Sequence, residues 1–301
     1  MISIYMKNID QITKLKVMKT PRSIDVEITS KCNLRCKYCY LYNSSGDTGI
    51  DLSTEEWLQF FDELGKCSLM NICIAGGEPF IRNDLKELIN GIVKNKMRFS
   101  ILSNGTLITD DIAYFLSKTG RCNFIQISID GSNPSIHDAC RGVGSFKKAI
   151  KGIQILLKHK IQVAVRVTIQ RYNVHDLENI AYLLLVKLGL KSFSTNSAGY
   201  LGLCKVNSEF MLLSEKERST AMKTLIKLSK EYHGRIRAQA GPLAEALQLI
   251  EIDKKIEKRQ NLHKNRGYGY LTGCNNSNEA EIYIKKFINQ LIEKDLASLS
   301  L

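Results

Sequence analysis

Three cysteines stand close together in Cys32-Asn33-Leu34-Arg35-Cys36-Lys37-Tyr38-Cys39, with three residues in the first gap and two in the second. Thiolates are the ligands that soft metals and iron–sulfur clusters favour, and this spacing lets one loop offer several to one site. A closed structural zinc site, or a cluster held by protein alone, normally takes four ligands. Three leave one coordination position open, and an open position is where chemistry happens. The competing reading is zinc with a fourth ligand from elsewhere in the chain, although no His or further Cys lies near in sequence. The blandest reading is three unligated thiols. Against it, Lys31, Arg35 and Lys37 surround them, and exposed basic surroundings favour reactive thiolate.

Other short motifs have the right residue types to support such a site. Gly76-Gly77-Glu78-Pro79 pairs two glycines, which let the backbone approach a ligand closely, with a proline that fixes the turn. Glu78, or the backbone carbonyls beside it, suits an ammonium group; taken alone the tetrapeptide is a turn. Ser103-Asn104-Gly105-Thr106 reads as a helix cap and tight turn. Ser128, Asp130 and Gly131 precede His137-Asp138-Ala139-Cys140-Arg141-Gly142. Arg141 suits a carboxylate, since guanidinium binds one in a fork. His137 and Asp138 read first as local capping residues. Arg166 and Thr168 alternate with apolar neighbours, and an Arg in such a setting needs a polar partner. A cofactor or substrate carboxylate would supply one, and so would a structural ion pair.

These motifs need elements to carry them. Residues 23–29 alternate apolar and polar and are rich in Ile and Val, the pattern of a strand ending just before the cysteines. Residues 70–75, 97–102, 124–129, 162–169 and 191–196 read as five further strands. Helices are expected from Ser53, where Glu56 completes a capping box, and over 83–94, 110–118, 145–159 and 176–187. Six strands alternating with helices are the mark of parallel βα units. Each motif falls just after a strand, at the end where barrels of this kind place their active sites. An open doubly wound sheet would give the same alternation. Beyond residue 199 the rhythm changes. Helices are expected over 214–232, 242–261 and 281–296, with a possible strand at 235–239.

The three-cysteine loop with Tyr38 before its last member, followed by Gly76–Pro79, resembles the signature of the radical S-adenosylmethionine superfamily. The run Ser-Ile-Asp-Gly at 128–131, then His-Asp-x-x-Arg-Gly at 137–142, is similar to the members that modify peptides and proteins, such as peptide maturases and anaerobic sulfatase-maturating enzymes. The resemblance covers about residues 20 to 200. It implies an α/β fold with a partial (β/α)6 barrel like that of triosephosphate isomerase over 22–200, a lead-in over 1–21, and a mostly helical extension over 201–301. It also implies one four-iron, four-sulfur cluster on Cys32, Cys36 and Cys39, with S-adenosylmethionine on the open iron. Tyr38, Gly76, Gly77, Glu78, Pro79, Ser103, Asn104, Ser128, Asp130 and Arg141 would surround that cofactor. The expected activity is reductive cleavage to a 5′-deoxyadenosyl radical and modification of a peptide or protein side chain, with an external electron donor. The segment 270–274 resembles the opening of an auxiliary-cluster module, but no cysteine follows Cys274. That departure motivates one alternative, a non-catalytic cluster-bearing partner subunit; a nucleic-acid-modifying enzyme of the same superfamily is another.

Composition agrees with a folded enzyme. The 301 residues suit one barrel-sized domain with an appendage, and 44% hydrophobic content supports a real core. The chain carries 43 basic and 30 acidic residues, a net charge of +13. Such a surface attracts anions of any kind. The charges are spread, however, and no arginine-rich arm or aromatic–basic repeat marks a nucleic-acid partner. Residues 1–7 lack a signal-peptide pattern and no apolar run reaches spanning length, so no membrane association is expected. With nine cysteines, a cytoplasmic protein with reduced thiols is expected.

Overall fold

The computed structural model describes residues 20–42 and 50–261. Expectations for the lead-in 1–19, the loop 267–274 and the closing helix 281–296 lie outside the described residues. The chain divides into two compact units, Met1–Leu243 and Ala244–Leu301. The described part of the second is helical, within α10 (Pro242–Asn261).

The first unit is built on one parallel sheet of seven strands in the order β1 to β7, each beside its neighbour in sequence. They are β1 (Ser23–Glu27), β2 (Asn71–Ala75), β3 (Arg98–Ser103), β4 (Cys122–Ser128), β5 (Val163–Ile169), β6 (Phe193–Ser197) and β7 (Ile236–Ala238). Between them run α1 (Thr54–Lys66), α2 (Leu85–Lys94), α3 (Asp110–Lys118), α4 (Pro134–Arg141), α5 (Ser145–Lys158) and α6 (Leu177–Ala181), the last widening into π-helix over Tyr182–Lys187. Two short helices, α7 (Gly202–Val206) and α8 (Ser208–Met211), follow β6 and lead to α9 (Glu215–Glu231). The sheet is that of a partial barrel and does not close, since β1 and β7 remain its two edges.

Alternation along the strands decides what each face does. Val26, Ile74, Ile101, Ile125 and Val163 lie side by side in register. This apolar face packs under the helices, with Phe61, Leu88, Ile92, Leu116 and Leu156 buried in the same core. Each such side chain contributes roughly 1.5–3 kcal/mol on burial. The opposite face is polar: Ser128, Arg166, Ser194 and Arg237 form a continuous row across β4 to β7. A parallel sheet covered on both faces reads as continuous apolar runs. These strands alternate instead, which is the sequence trace of a sheet with a polar cavity on one side.

Ser53 and Glu56 do form the capping box that opens α1. Ser214 and Glu217 form a second at α9. Two features extend the six units, the first of them the possible strand at 235–239. Residues 236–238 pair with β6 as a seventh strand, because α9 turns back against α6 and delivers the chain to the sheet edge. Residues 134–141 form α4, opened by Asn133, whose side chain accepts the Ile136 N–H, and by Pro134 in the first turn. No described helix is long and apolar enough to cross a membrane.

Candidate active site

The cysteine loop leaves β1 and is held at its root by a carboxylate. Asp51 accepts from Thr29 Oγ1 at 2.6 Å and from Ser30 N at 2.8 Å. The loop that ends β2 then lies backbone to backbone against it: Gly77 N donates to Thr29 O and Glu78 N to Lys31 O, both at 2.8 Å. A Cβ on Gly77 would stand 2.1 Å from Lys31 O, and one on Gly76 2.4 Å from Thr29 O. The two glycines are therefore required by the approach of one loop to the other.

Glu78 is fully buried and does not line the cavity; neither does Pro79, which opens a short 3-10 turn. The Glu78 carboxylate accepts from Ser103 Oγ at 2.9 Å, Asn104 N at 2.7 Å and Phe80 N at 3.2 Å. It thus ties the β2 loop to the β3 loop. Burial pushes its pKa up to about 7, opposed by those three donors. Asn104, so held, points its Nδ2 at Cys32 Sγ, 3.7 Å away, and Leu34 N donates to the same sulfur at 3.4 Å. Burial raises the Cys32 thiol and those two donors pull it back.

Cys36 sits beside a buried cation. Arg141 Nη1 lies 3.9 Å from its sulfur. Burial nevertheless pushes the Cys36 thiol up to about 11, with Arg141 opposing. Arg141 Nε donates to Asp130 at 2.5 Å, and the Tyr38 hydroxyl donates to the same carboxylate oxygen. Asp130 is completely buried and also takes the Thr168 N–H at 2.8 Å on its other oxygen. His137 Nδ1 accepts the Asp130 N–H at 3.1 Å, and burial lowers the imidazole to about 4. His137 is therefore neutral and structural. Asp138 accepts from Gly144 N and Phe146 N and caps the turn into α5. Asp130, Tyr38 and Arg141 make one knot that anchors the far end of the cysteine loop.

The loop opens into a cavity of about 300 Å³ at the C-terminal ends of the strands. All three cysteines line it, with Tyr38, Gly76, Gly77, Ser103, Asn104, Ser128 and Arg141 from the motifs. Glu78, Pro79 and Asp130 lie behind this wall as supports. Sequence reasoning missed Gln126 and Asn196, which line the cavity from β4 and β6. Their inward parity within alternating strands was the available signal. Two buried atoms facing this region have no protein partner, Arg166 Nε and Asn196 Oδ1. Burial lowers the Arg166 pKa.

Comparison with known proteins follows the same residues. The model of the Radical SAM superfamily matches residues 26–184. The mycofactocin maturase MftC of Mycobacterium tuberculosis (strain CDC 1551 / Oshkosh) is 34% identical over 167 residues, 55% of this chain and 42% of that protein. The PqqA peptide cyclase of Granulibacter bethesdensis is 28% identical over 214 residues, 70% of this chain and 56% of that one. The chain thus spans about half the length of these curated relatives. Among solved structures, Streptococcus suis SuiB bound to S-adenosylmethionine superposes with a TM-score of 0.61 at 13% identity, over 79% of this chain and 54% of SuiB. That likeness is one of fold.

Proposed function

Since this chain belongs to the radical SAM superfamily, we propose that it reductively cleaves S-adenosylmethionine at a cluster on Cys32, Cys36 and Cys39 and modifies a peptide or protein side chain. The observation that carries this reading is the donor set: three cysteines outside any disulfide, on one loop, at the mouth of a polar cavity. Family membership implies a four-iron, four-sulfur cluster and S-adenosylmethionine. A single cluster is proposed because the other described thiols offer no second set of three: Cys67, Cys73 and Cys122 lie apart at α1, β2 and β4, and Cys140 and Cys204 form a buried pair with Met211. The peptide substrate is inferred from relatives named as a maturase and a peptide cyclase.

The residues present fit these groups. Among the described residues no three acidic, His or Cys side chains converge on one point as a single ion requires. A cluster asks for something different, with each thiolate holding its own iron. The unpartnered Arg166 Nε and Asn196 Oδ1 offer a donor and an acceptor to a polar ligand beside the thiols. When bound and reduced by an external electron donor, the cluster and S-adenosylmethionine supply a radical that takes hydrogen from an unactivated carbon.

The chain's own residues prepare the site. Asn104 and Arg141 aim donors at Cys32 and Cys36, favouring the thiolates that iron requires; loading releases the protons that the raised thiol pKa values retain. Arg141 gives its Nε to Asp130 and still lines the cavity beside Cys36. Arg141 and Arg166, whose Nε is unpartnered, would hold the cofactor carboxylate between them, with the backbone carbonyls near Gly76 and Gly77 left for the ammonium group. Ser128, Gln126 and Asn196 serve the remaining polar groups, and Tyr38 and Asp130 position the loop. The barrel of residues 22–200 carries the chemistry in this reading, in a reducing cytoplasmic setting.

The test is anaerobic reconstitution with iron and sulfide, addition of S-adenosylmethionine and a strong reductant, and assay of 5′-deoxyadenosine, with Cys36→Ala as control. Product from the wild type and none from the variant is expected. Zinc without iron in anaerobically prepared protein would sink the proposal. A bound cluster without cleavage would point to a non-catalytic partner subunit.

A further inference from the structure

The stretch after β6 carries a concentration of exposed apolar side chains. Tyr200, Leu201, Val206 and Phe210 are each more than half exposed. Tyr40, at the end of the cysteine loop, is 61% exposed and lines the cavity, as does Leu201. Single exposed apolar residues are ordinary, but a group gathered beside one cavity is the mark of a contact surface. This stretch is seated firmly. Leu203 N donates to Cys39 O at 2.8 Å and Asn207 Nδ2 to Lys37 O at 3.0 Å. Gly202 approaches so closely that a Cβ would stand 2.5 Å from the carbonyl oxygens of Cys39 and Tyr40. A partner lying on α7 and α8 is thereby held next to the thiols.

Charge says what the partner is. Some lysines of the outer helices face carboxylates, as Lys66 does Glu63, Lys86 Asp111 and Lys227 Glu178. On the cysteine loop, and on α7 beside it, cations face rings. Lys37 lies 5.0 Å from the Tyr172 ring centre, Lys205 5.9 Å from that of Tyr200, and Arg35 4.2 Å from that of Tyr42. Ring-stacked lysines elsewhere include helix neighbours such as Lys118 and Tyr114, whereas Lys37 and Tyr172 join distant segments. Among the described residues no salt bridge joins Lys37 or Lys205, so the charge of these two lysines stays available to an incoming anion, while Arg35 donates to the backbone carbonyls of Cys32 and Leu34. Glu209 is the carboxylate of this stretch, and the neighbouring Arg171 is bound to Glu217.

We propose that Lys37, Tyr40 and the stretch from Tyr200 to Phe210 dock an acidic peptide segment bearing aromatic or apolar side chains. This rests on the peptide-modifying reading above and names its substrate class. Carboxylates meet Lys37 and Lys205, while apolar side chains cover Leu201, Val206 and Phe210.

The experiment uses the full chain and fluorescence anisotropy with a fluorescein-labelled peptide alternating Glu and Tyr, against one alternating Lys and Tyr. The acidic peptide should bind and the basic one should not. Lys205→Glu and Phe210→Ser, both at exposed positions, should each weaken binding about fivefold or more, and Lys205→Arg should not. Equal binding of both peptides, or indifference to both substitutions, overturns the proposal. So does protection of the Tyr200 and Phe210 rings from hydroxyl-radical labelling without peptide, which would mean that another part of this chain already covers them. 5′-Deoxyadenosine is assayed in parallel. Charge-selective binding without that product refutes the radical reading and leaves the surface; product without selective binding does the reverse.

Discussion

At the scale of single residues, the supports of the cysteine loop carry opposing titrations. The Glu78 pKa is raised from 4.5 to about 7. Across that window the folded state holds more protons than the unfolded chain, so this group's contribution falls as pH rises. The His137 pKa is lowered from 6.5 to about 4. There the folded state holds fewer protons, so its contribution is lost as pH falls. Each shift is worth up to about 3 kcal/mol over its window. The windows overlap and the slopes oppose, so the wild type should be nearly flat between pH 5 and pH 7. Glu78→Gln should then lose stability on acidification, and His137→Asn should lose it as pH rises. Urea midpoints at the two pH values read this directly. Two variants as flat as the wild type would mean that neither group titrates as its burial implies.

At the scale of elements, the loops are fitted to one another by glycine. Gly202, at a backbone φ of +53°, meets three carbonyl oxygens of the cysteine loop within 2.6 Å of where a Cβ would be. Gly120 has a similar φ of +62° with open space around it. Gly120→Ala therefore measures backbone strain alone, about 1 kcal/mol. Gly202→Ala adds a collision with backbone that cannot move without shifting Cys39. It should cost about 3 kcal/mol or more and lower the iron bound per chain after reconstitution. Equal losses from the two substitutions would show that α7 does not position the cysteine loop. Asn207→Ala, which removes the bond to Lys37 O, should lower iron content with a smaller stability loss.

At the scale of the whole sheet, stability and access divide between centre and edges. β3 and β4 are covered on both sides by neighbouring strands, while β1 and β7 each have one neighbour. Amide exchange should be slowest at Phe99, Ile101, Ile125 and Ile127 and fastest in β7, with β1 between them. Phe99→Ala, at a position with no exposure, should cost about 3–5 kcal/mol. Uniform exchange across all seven strands would contradict the layered picture.

The sequence by itself determined the alternation of strands and helices, the loop that carries the thiols, and the end of the sheet at which the motifs gather. These are local properties: residue periodicity, capping chemistry, and the fact that every motif follows a strand. It also marked Gly76 and Gly77 as a place of close approach, to a ligand; the structure shows the cysteine loop itself pressed against them. Only the tertiary structure decided what each motif does there. Glu78 reads as a ligand in its tetrapeptide, yet its three donors come from the adjoining turn and the β3 loop, which bury it behind the wall. Arg141 reads as a carboxylate partner from its type alone, and packing adds that its Nε holds Asp130 while Arg166 on the next strand keeps an unpartnered Nε. Gly202 gives no local sign of touching Cys39, and the possible strand at 235–239 reaches β6 because α9 folds back against α6. Such roles depend on which surfaces meet, and those meetings are set by packing between residues far apart in the chain.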